Sequence, residues 1–189
     1  LVMLYSAIII YFFYNVYNYF FFVYLHNKLN LMKHLTILLL LVFSGANAQK
    51  ELPNLTLKSL DNKEVNIKSD YSEIDKLYVF SFWATWCGPC LNELEAISED
   101  YDNWKKELNV ELIAISTDDA RTQKRVKPLV NGKNWPFNVI LDSNQDFKRA
   151  LAIVDIPYTI VVKNGKIVHI QSGYMQGGEK ELFTILKTL

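Results

Sequence analysis

The chain has 189 residues with 20 basic and 20 acidic side chains, so no net charge steers it toward nucleic acid. Only two residues are cysteines, which excludes a disulfide-stapled scaffold, since two thiols close at most one bridge. Residues 1–48 contain Lys28 and Lys33 and no Asp or Glu, leaving a mildly acidic remainder long enough for one domain with its own core.

Residues 1–31 hold 11 aromatic side chains and no Gly, Pro, Asp, Glu or Arg. The stretch from Leu4 to Leu25 has the length and the lack of charge of a transmembrane helix. The favoured alternative is upstream translation in an AT-rich genome, because Met32 begins a complete secretory signal of its own. Lys33 supplies its positive start, Leu35 to Phe43 an apolar run too short to span a bilayer, and Ala46-Asn47-Ala48 an A-x-A cleavage site. No cysteine follows the run, so a lipid anchor is not expected. The expected organisation is a hydrophobic extension over 1–31, a signal peptide over 32–48 and one domain over 49–189. Cleavage near Ala48 places that domain in the periplasm; an uncleaved anchor facing the periplasm is the alternative.

Within the domain, Leu55 and Leu57 alternate with polar residues, Asp61-Asn62-Lys63 is turn-like, and Val65 and Ile67 resume the alternation, which predicts a β-hairpin. Leu77 to Trp83 is a continuous apolar run suited to a central strand. Beyond it, Leu91, Leu94, Ile97, Tyr101, Trp104 and Leu108 recur at steps of three or four. Glu93, Glu95, Glu99 and Lys105 fall off that stripe, which predicts a helix with one core-facing side. Val110 to Ser116 reads as a second buried strand, followed by a helix over Ala120 to Val130 that Asp118 or Asp119 could cap. The basic residues of that helix, Arg121, Lys124, Arg125 and Lys127, read as a solvated face. Phe137 to Leu141 is a third such strand and Gln145 to Ala152 a short helix. Tyr158–Lys163 and Lys166–Gln171 flank Asn164-Gly165, a hairpin signal. After Gly177-Gly178 a terminal helix carries Leu182, Ile185, Leu186 and Leu189 on one face. The order indicates an α/β domain with parallel crossovers and an antiparallel edge.

The two cysteines lie where the first central strand meets its helix, in Trp83-Ala84-Thr85-Trp86-Cys87-Gly88-Pro89-Cys90. A thiolate attacks disulfides far better than a thiol, and Cys87 is placed at a helix start, where unpaired N–H groups and the helix dipole favour negative charge. Cys90 follows one turn later on the same side and can close the bridge. Pro89 suits a first turn, which needs no N–H from it, and Trp86 offers an apolar surface to a docking substrate. Two other uses of the pair are weaker. A structural zinc site needs four ligands, and His169 is the only further His or Cys after residue 48. A peroxidatic cysteine needs a hydroxyl and an Arg nearby; Thr85 stands two before Cys87, but no Arg lies between residues 49 and 120.

This motif resembles the active site of thioredoxins, and residues 52–189 resemble the exported TlpA/ResA/DsbE-type branch of the redoxin superfamily. The resemblance rests on the hairpin, the dithiol, the strand–helix material between Asp118 and Ala152, and Ile156-Pro157. It implies a thioredoxin-like three-layer α/β fold: a central mixed sheet with helices on both faces, an N-terminal hairpin and an inserted strand–helix segment. It implies that Cys87 and Cys90 form the redox-active disulfide, and that Pro157 is a cis-proline facing it. Ile156 and Pro157 then join Trp86 as the substrate-binding surface. Glu93 matches an acidic residue that the ResA-type branch uses near its dithiol, and one turn from Cys90 it could exchange a proton with it; a solvent-facing glutamate is its rival reading. Two positions depart from the thioredoxin pattern. Ser81 replaces a buried Asp, which moves the proton acceptor to Glu93 or water, and Glu95 replaces a helix-kinking Pro, which predicts a straighter helix.

The function so implied is reduction of disulfides in extracytoplasmic proteins, with no metal or organic cofactor. A Gly-Pro pair between the cysteines matches thioredoxin, at roughly −270 mV, rather than strong oxidants near about −120 mV. The partners implied are disulfide-containing protein substrates and a membrane electron donor that re-reduces the dithiol, with a monomeric chain and no nucleic acid. Cytochrome c maturation is the branch's role. A redoxin-type thiol peroxidase, a disulfide oxidase or isomerase, and a redox-inert binding module are the alternatives.

Overall fold

The computed structural model describes residues 50–189 and, before them, Tyr19, Phe21, Phe22, residues 24–30, Met32 and Lys33. The chain divides into two units, Leu1–Ala48 and Gln49–Leu189. In the first, the described residues are helical. No helix among the described residues is long and apolar enough to cross a membrane. The apolar run and cleavage site of the expected signal peptide, and most of the Leu4–Leu25 stretch, lie outside the described residues.

The second unit is built on one seven-stranded sheet. Its strands are β1 (Thr56–Ser59), β2 (Glu64–Asn66), β3 (Leu77–Trp83), β4 (Val110–Ser116), β5 (Asn138–Leu141), β6 (Tyr158–Lys163) and β7 (Lys166–Ser172). They lie side by side in the order β2-β1-β5-β4-β3-β6-β7. The three central strands, β5, β4 and β3, are parallel; β2, β1, β6 and β7 extend the sheet antiparallel at both ends. Both predicted hairpins form, and Asn164 and Gly165 turn the second with φ of 53° and 75°, the left-handed pair that a two-residue hairpin loop requires. Lys50 and Leu52 run along the start of β7: Ile167 N–H donates to the Lys50 carbonyl at 2.9 Å, and Leu52 N–H to the Gly165 carbonyl at 3.3 Å.

Four α-helices cover the sheet: α1 (Gly88–Glu107), α2 (Val126–Lys133), α3 (Asp146–Ala150) and α4 (Gly178–Leu186). The alternation of a strand sorts β3 between two cores. Leu77, Val79 and Trp83 face α1, α2 and α4, whose Leu94, Ile97, Val126, Val130, Leu182 and Leu186 complete that layer. Tyr78, Phe80 and Phe82 face the other way, onto Phe147 of α3 and onto Leu57 and Ile67 around the N-terminal hairpin. Helices thus lie on both faces, the three-layer arrangement expected.

Two helices differ from the reading of the sequence. The segment predicted as helical from Ala120 begins with a 3₁₀ turn at Gln123–Arg125 and becomes α-helical only at Val126. Pro128 is the reason: it has no N–H to give, and an α-helix tolerates it only in its first turn, which a start at Val126 satisfies and a start at Ala120 does not. The short third helix ends at Ala150 rather than Ala152, which has φ of +57° and breaks the helix. The basic residues ahead of and within α2 are solvated, with Arg121 paired to Asp119 at 2.6 Å and Lys127 to Asp61 at 3.1 Å.

Candidate active site

β3 delivers the chain to the carboxyl end of the parallel strands, and α1 starts there. Cys87 is the N-cap residue of α1, with extended backbone, and its Sγ accepts the Cys90 N–H at 3.3 Å. Pro89 sits in the first turn, where its missing N–H costs nothing. Cys87 and Cys90 are joined in a disulfide with Cα atoms 5.3 Å apart. Cys87 retains 6% of its surface and Cys90 none, so the first cysteine is the one a partner can reach. Trp86, next to it, is 62% exposed. The Ile156-Pro157 bond is cis, as the resemblance implied. The Pro157 carbonyl accepts Gly173 N–H at 2.8 Å, and Pro157 is buried while Ile156 is half-buried.

Glu93 corrects the reading of α1. The sequence stripe runs through Leu91 and leaves Glu93 outside it. In the structure Leu91 is only half-buried, and the buried side of the helix is Cys90, Glu93, Leu94, Ile97, Tyr101 and Trp104. Residues i, i+3, i+4 and i+7 from Cys90 share one face, and a carboxylate at i+3 is carried into the core with them. Glu93 is 1% exposed. Its Oε2 accepts the Ser81 hydroxyl at 3.2 Å and its Oε1 the Thr159 hydroxyl at 3.1 Å. Burial pushes its carboxyl up to about 7, against the pull of the Thr159 and Ser81 hydroxyls, which favour the ionised form. The carboxylate missing from the strand at Ser81 is therefore supplied from the helix, into contact with Ser81 itself.

Glu95, the other departure, lies on an uninterrupted 20-residue helix. It pairs with Lys133 of α2 at 2.9 Å and accepts the Trp135 indole N–H at 3.4 Å. Where the thioredoxin pattern places a proline, this chain uses the position to tie the inserted segment to the dithiol helix.

Sequence reasoning missed a second buried carboxylate. Asp118 does not cap a helix; it turns back onto the dithiol loop. Its Oδ2 accepts the Thr85 N–H at 2.8 Å and the Ser116 hydroxyl at 3.0 Å, and its Oδ1 accepts the Thr85 hydroxyl at 2.6 Å. Beside it, Thr117 donates its N–H and its hydroxyl to the Trp83 carbonyl at 2.8 and 3.1 Å. Residues 116–118 thus clasp the backbone on both sides of Ala84, just before Cys87. Asp119 does the turn-initiating work instead, accepting the Arg121 and Thr122 N–H groups at 3.0 and 3.3 Å. The contact spans 33 residues, so no local pattern announces it. It also bears on the peroxidatic alternative, because the Thr85 hydroxyl is committed to Asp118. Among the described residues no group of three His, Cys, Asp or Glu side chains is arranged to hold a metal.

Residues 48–170 match the AhpC/TSA family. The chain is 31% identical over 120 residues to the thiol-disulfide oxidoreductase ResA of Bacillus thuringiensis, covering 63% of this chain and 66% of that one, just under two thirds of the relative's length. Among solved structures, it is similar to a thioredoxin-like protein from Porphyromonas gingivalis, at 43% identity and a TM-score of 0.65 over 76% of this chain and 94% of the other. It also shares the fold of StoA from Bacillus subtilis, at 21% identity and a TM-score of 0.56 over 70% of this chain and 99% of that one.

Proposed function

Because the chain belongs to the AhpC/TSA family, and within it resembles the TlpA/ResA/DsbE-type branch, we propose that it is an exported thiol–disulfide oxidoreductase that reduces disulfides in extracytoplasmic proteins. The observation that carries this reading is an asymmetric pair of cysteines: one accessible at a helix start, the other sealed and one turn from a buried carboxyl that titrates near neutrality.

In the reduced protein the Cys87 thiolate is favoured by the Cys90 N–H that points at its sulfur and by the amino end of α1. It attacks one sulfur of a substrate disulfide; that S–S bond breaks, its second sulfur leaves as a thiolate, and a mixed disulfide forms. Glu93 accepts the proton of Cys90, whose sulfur then attacks that of Cys87. The mixed disulfide breaks, the substrate departs with both sulfurs reduced, and the Cys87–Cys90 bridge of this structure remains. Two electrons have passed to the substrate, so a membrane electron donor must return two to the bridge. Trp86 and Ile156 form the surface on which a substrate segment docks, and Pro157 shapes the backbone beside it.

Export by cleavage near Ala48 belongs to the same proposal. It is supported by the signal pattern of Met32 to Ala48 and by the division of the chain into two units after Ala48. Trapping with Cys90→Ser tests the whole reading: stable mixed disulfides on Cys87 with extracytoplasmic proteins are expected, and none with Cys87→Ser. A variant that traps nothing, from a wild-type protein inert toward insulin disulfides, overturns it.

A further inference from the structure

β3 and β6 are antiparallel neighbours in which Ser81 stands opposite Thr159. Both lie on the sheet face under α1, among Val79, Trp83 and Val161, and both are buried, at 0% and 1% exposure. A hydroxyl buried in such an apolar layer is costly unless it finds a partner. Here both find the same one, and each takes a different oxygen of the Glu93 carboxyl, at 3.2 and 3.1 Å. Two cross-strand hydroxyls converging on one carboxyl from a helix above make a receptor built for that group.

We infer that Ser81 and Thr159 are positioning residues for the dithiol reaction, which together orient the Glu93 carboxyl beneath Cys90 and sustain its proton-accepting form. The inference rests on the reading of Glu93 as the acceptor of the Cys90 proton. The groups that face Glu93 can be named from each element packed on it. Cys90 shares its helix, Ser81 comes from β3 and Thr159 from β6. Tyr174, from the segment between β7 and α4, is pushed up to about 12 by burial first, then by Glu179 and by the charge of Glu93. Among the described residues, burial of Glu93 is opposed by the Thr159 and Ser81 hydroxyls. Removing a hydroxyl removes a donor to the ionised form and moves the carboxyl upward.

The test compares, in the full chain, Ser81→Ala, Thr159→Val and their double with Ser81→Thr and Thr159→Ser, which keep the hydroxyl. Glu93→Gln is the reference for the reading on which the inference rests. Two quantities are followed: the titration midpoint of the Glu93 carboxyl by carbon-13 NMR, and the pH dependence of disulfide reduction. Each lost hydroxyl is expected to raise both midpoints by about one pH unit, with the conservative variants returning toward wild type. A folded variant lacking either hydroxyl whose rate profile stays at the wild-type position overturns the inference, whether or not the NMR midpoint moves. If the double variant fails to fold, the single variants decide by the same criterion. If Glu93→Gln itself keeps the wild-type profile, the reading of Glu93 fails and the inference with it. If Glu93→Gln flattens the profile while the hydroxyl variants leave it in place, the inference alone fails.

Discussion

Cys87 and Cys90 belong to one bridge, with Cα atoms 5.3 Å apart, yet their surroundings share little. On the Cys87 side stand an exposed Trp86 and the start of α1. On the Cys90 side the chain is sealed, and the polar groups named there, Glu93, Ser81 and Thr159, answer one another. Under the proposed mechanism, the difference gives two tasks to two environments. A sulfur that must meet large partners needs access and a favoured negative charge. A sulfur that must attack only its neighbour needs a local proton acceptor and no access at all.

The largest break in this comparison is Cys87→Ser, expected to reduce insulin-disulfide reduction to background, whereas Cys90→Ser keeps the first attack and stops at the mixed disulfide. Glu93→Gln comes next. It is expected to slow reduction at neutral pH by about a hundredfold and to remove the dependence on pH near 7. It also carries a stability signature. The folded carboxyl titrates at about 7 against an ordinary 4.5, so between those values the native state keeps a proton that the unfolded chain has released. Stability therefore falls as pH rises from 4.5 to about 7, by about 3 kcal/mol in all. Urea unfolding of Glu93→Gln is expected to show that slope gone.

Smaller effects sharpen the comparison from the outer side. Thr85→Val cuts the Asp118 clasp at one end, and a loss of about 2 kcal/mol in chemical denaturation is expected, since the Thr85 hydroxyl is bound to a carboxylate that is 1% exposed. Thr85→Ser should keep most of it. Trp86→Ala is expected to raise KM for a protein substrate several-fold while leaving the pH midpoint and the thermal unfolding temperature in place. Lys133→Ala, which frees Glu95 from a half-exposed ion pair, is expected to cost under about 1 kcal/mol, measured by the same denaturation.

Much of this site can be read in the sequence because its signals are local. The dithiol, the strand before it, the Asn164-Gly165 hairpin and Pro157 each announce themselves within a few residues. The inner side of the site is less legible. Periodicity sorts side chains by hydrophobicity, and so it leaves a glutamate such as Glu93 off the core stripe. Its burial follows only once Ser81 and Thr159, 12 and 66 residues away, are known to be neighbours in the sheet. The Asp118 clasp is hidden for the same reason, because it joins two loops that only the parallel pairing of β3 with β4 brings together. The start of α2 is legible locally, because Pro128 alone argues against a helix beginning at Ala120.

The short run of chain along β7 has a consequence for how molecules of this protein meet one another. A sheet invites further strands wherever an outer strand shows a free row of amides and carbonyls. Here one rim is the three-residue β2, and the other is occupied at its start by Lys50 and Leu52, with β6 and β7 shifting register between Val161 and Val162. Among the described residues, the rim at β2 is short and the start of β7 is already paired, so both rims leave a further copy less edge to add a strand to.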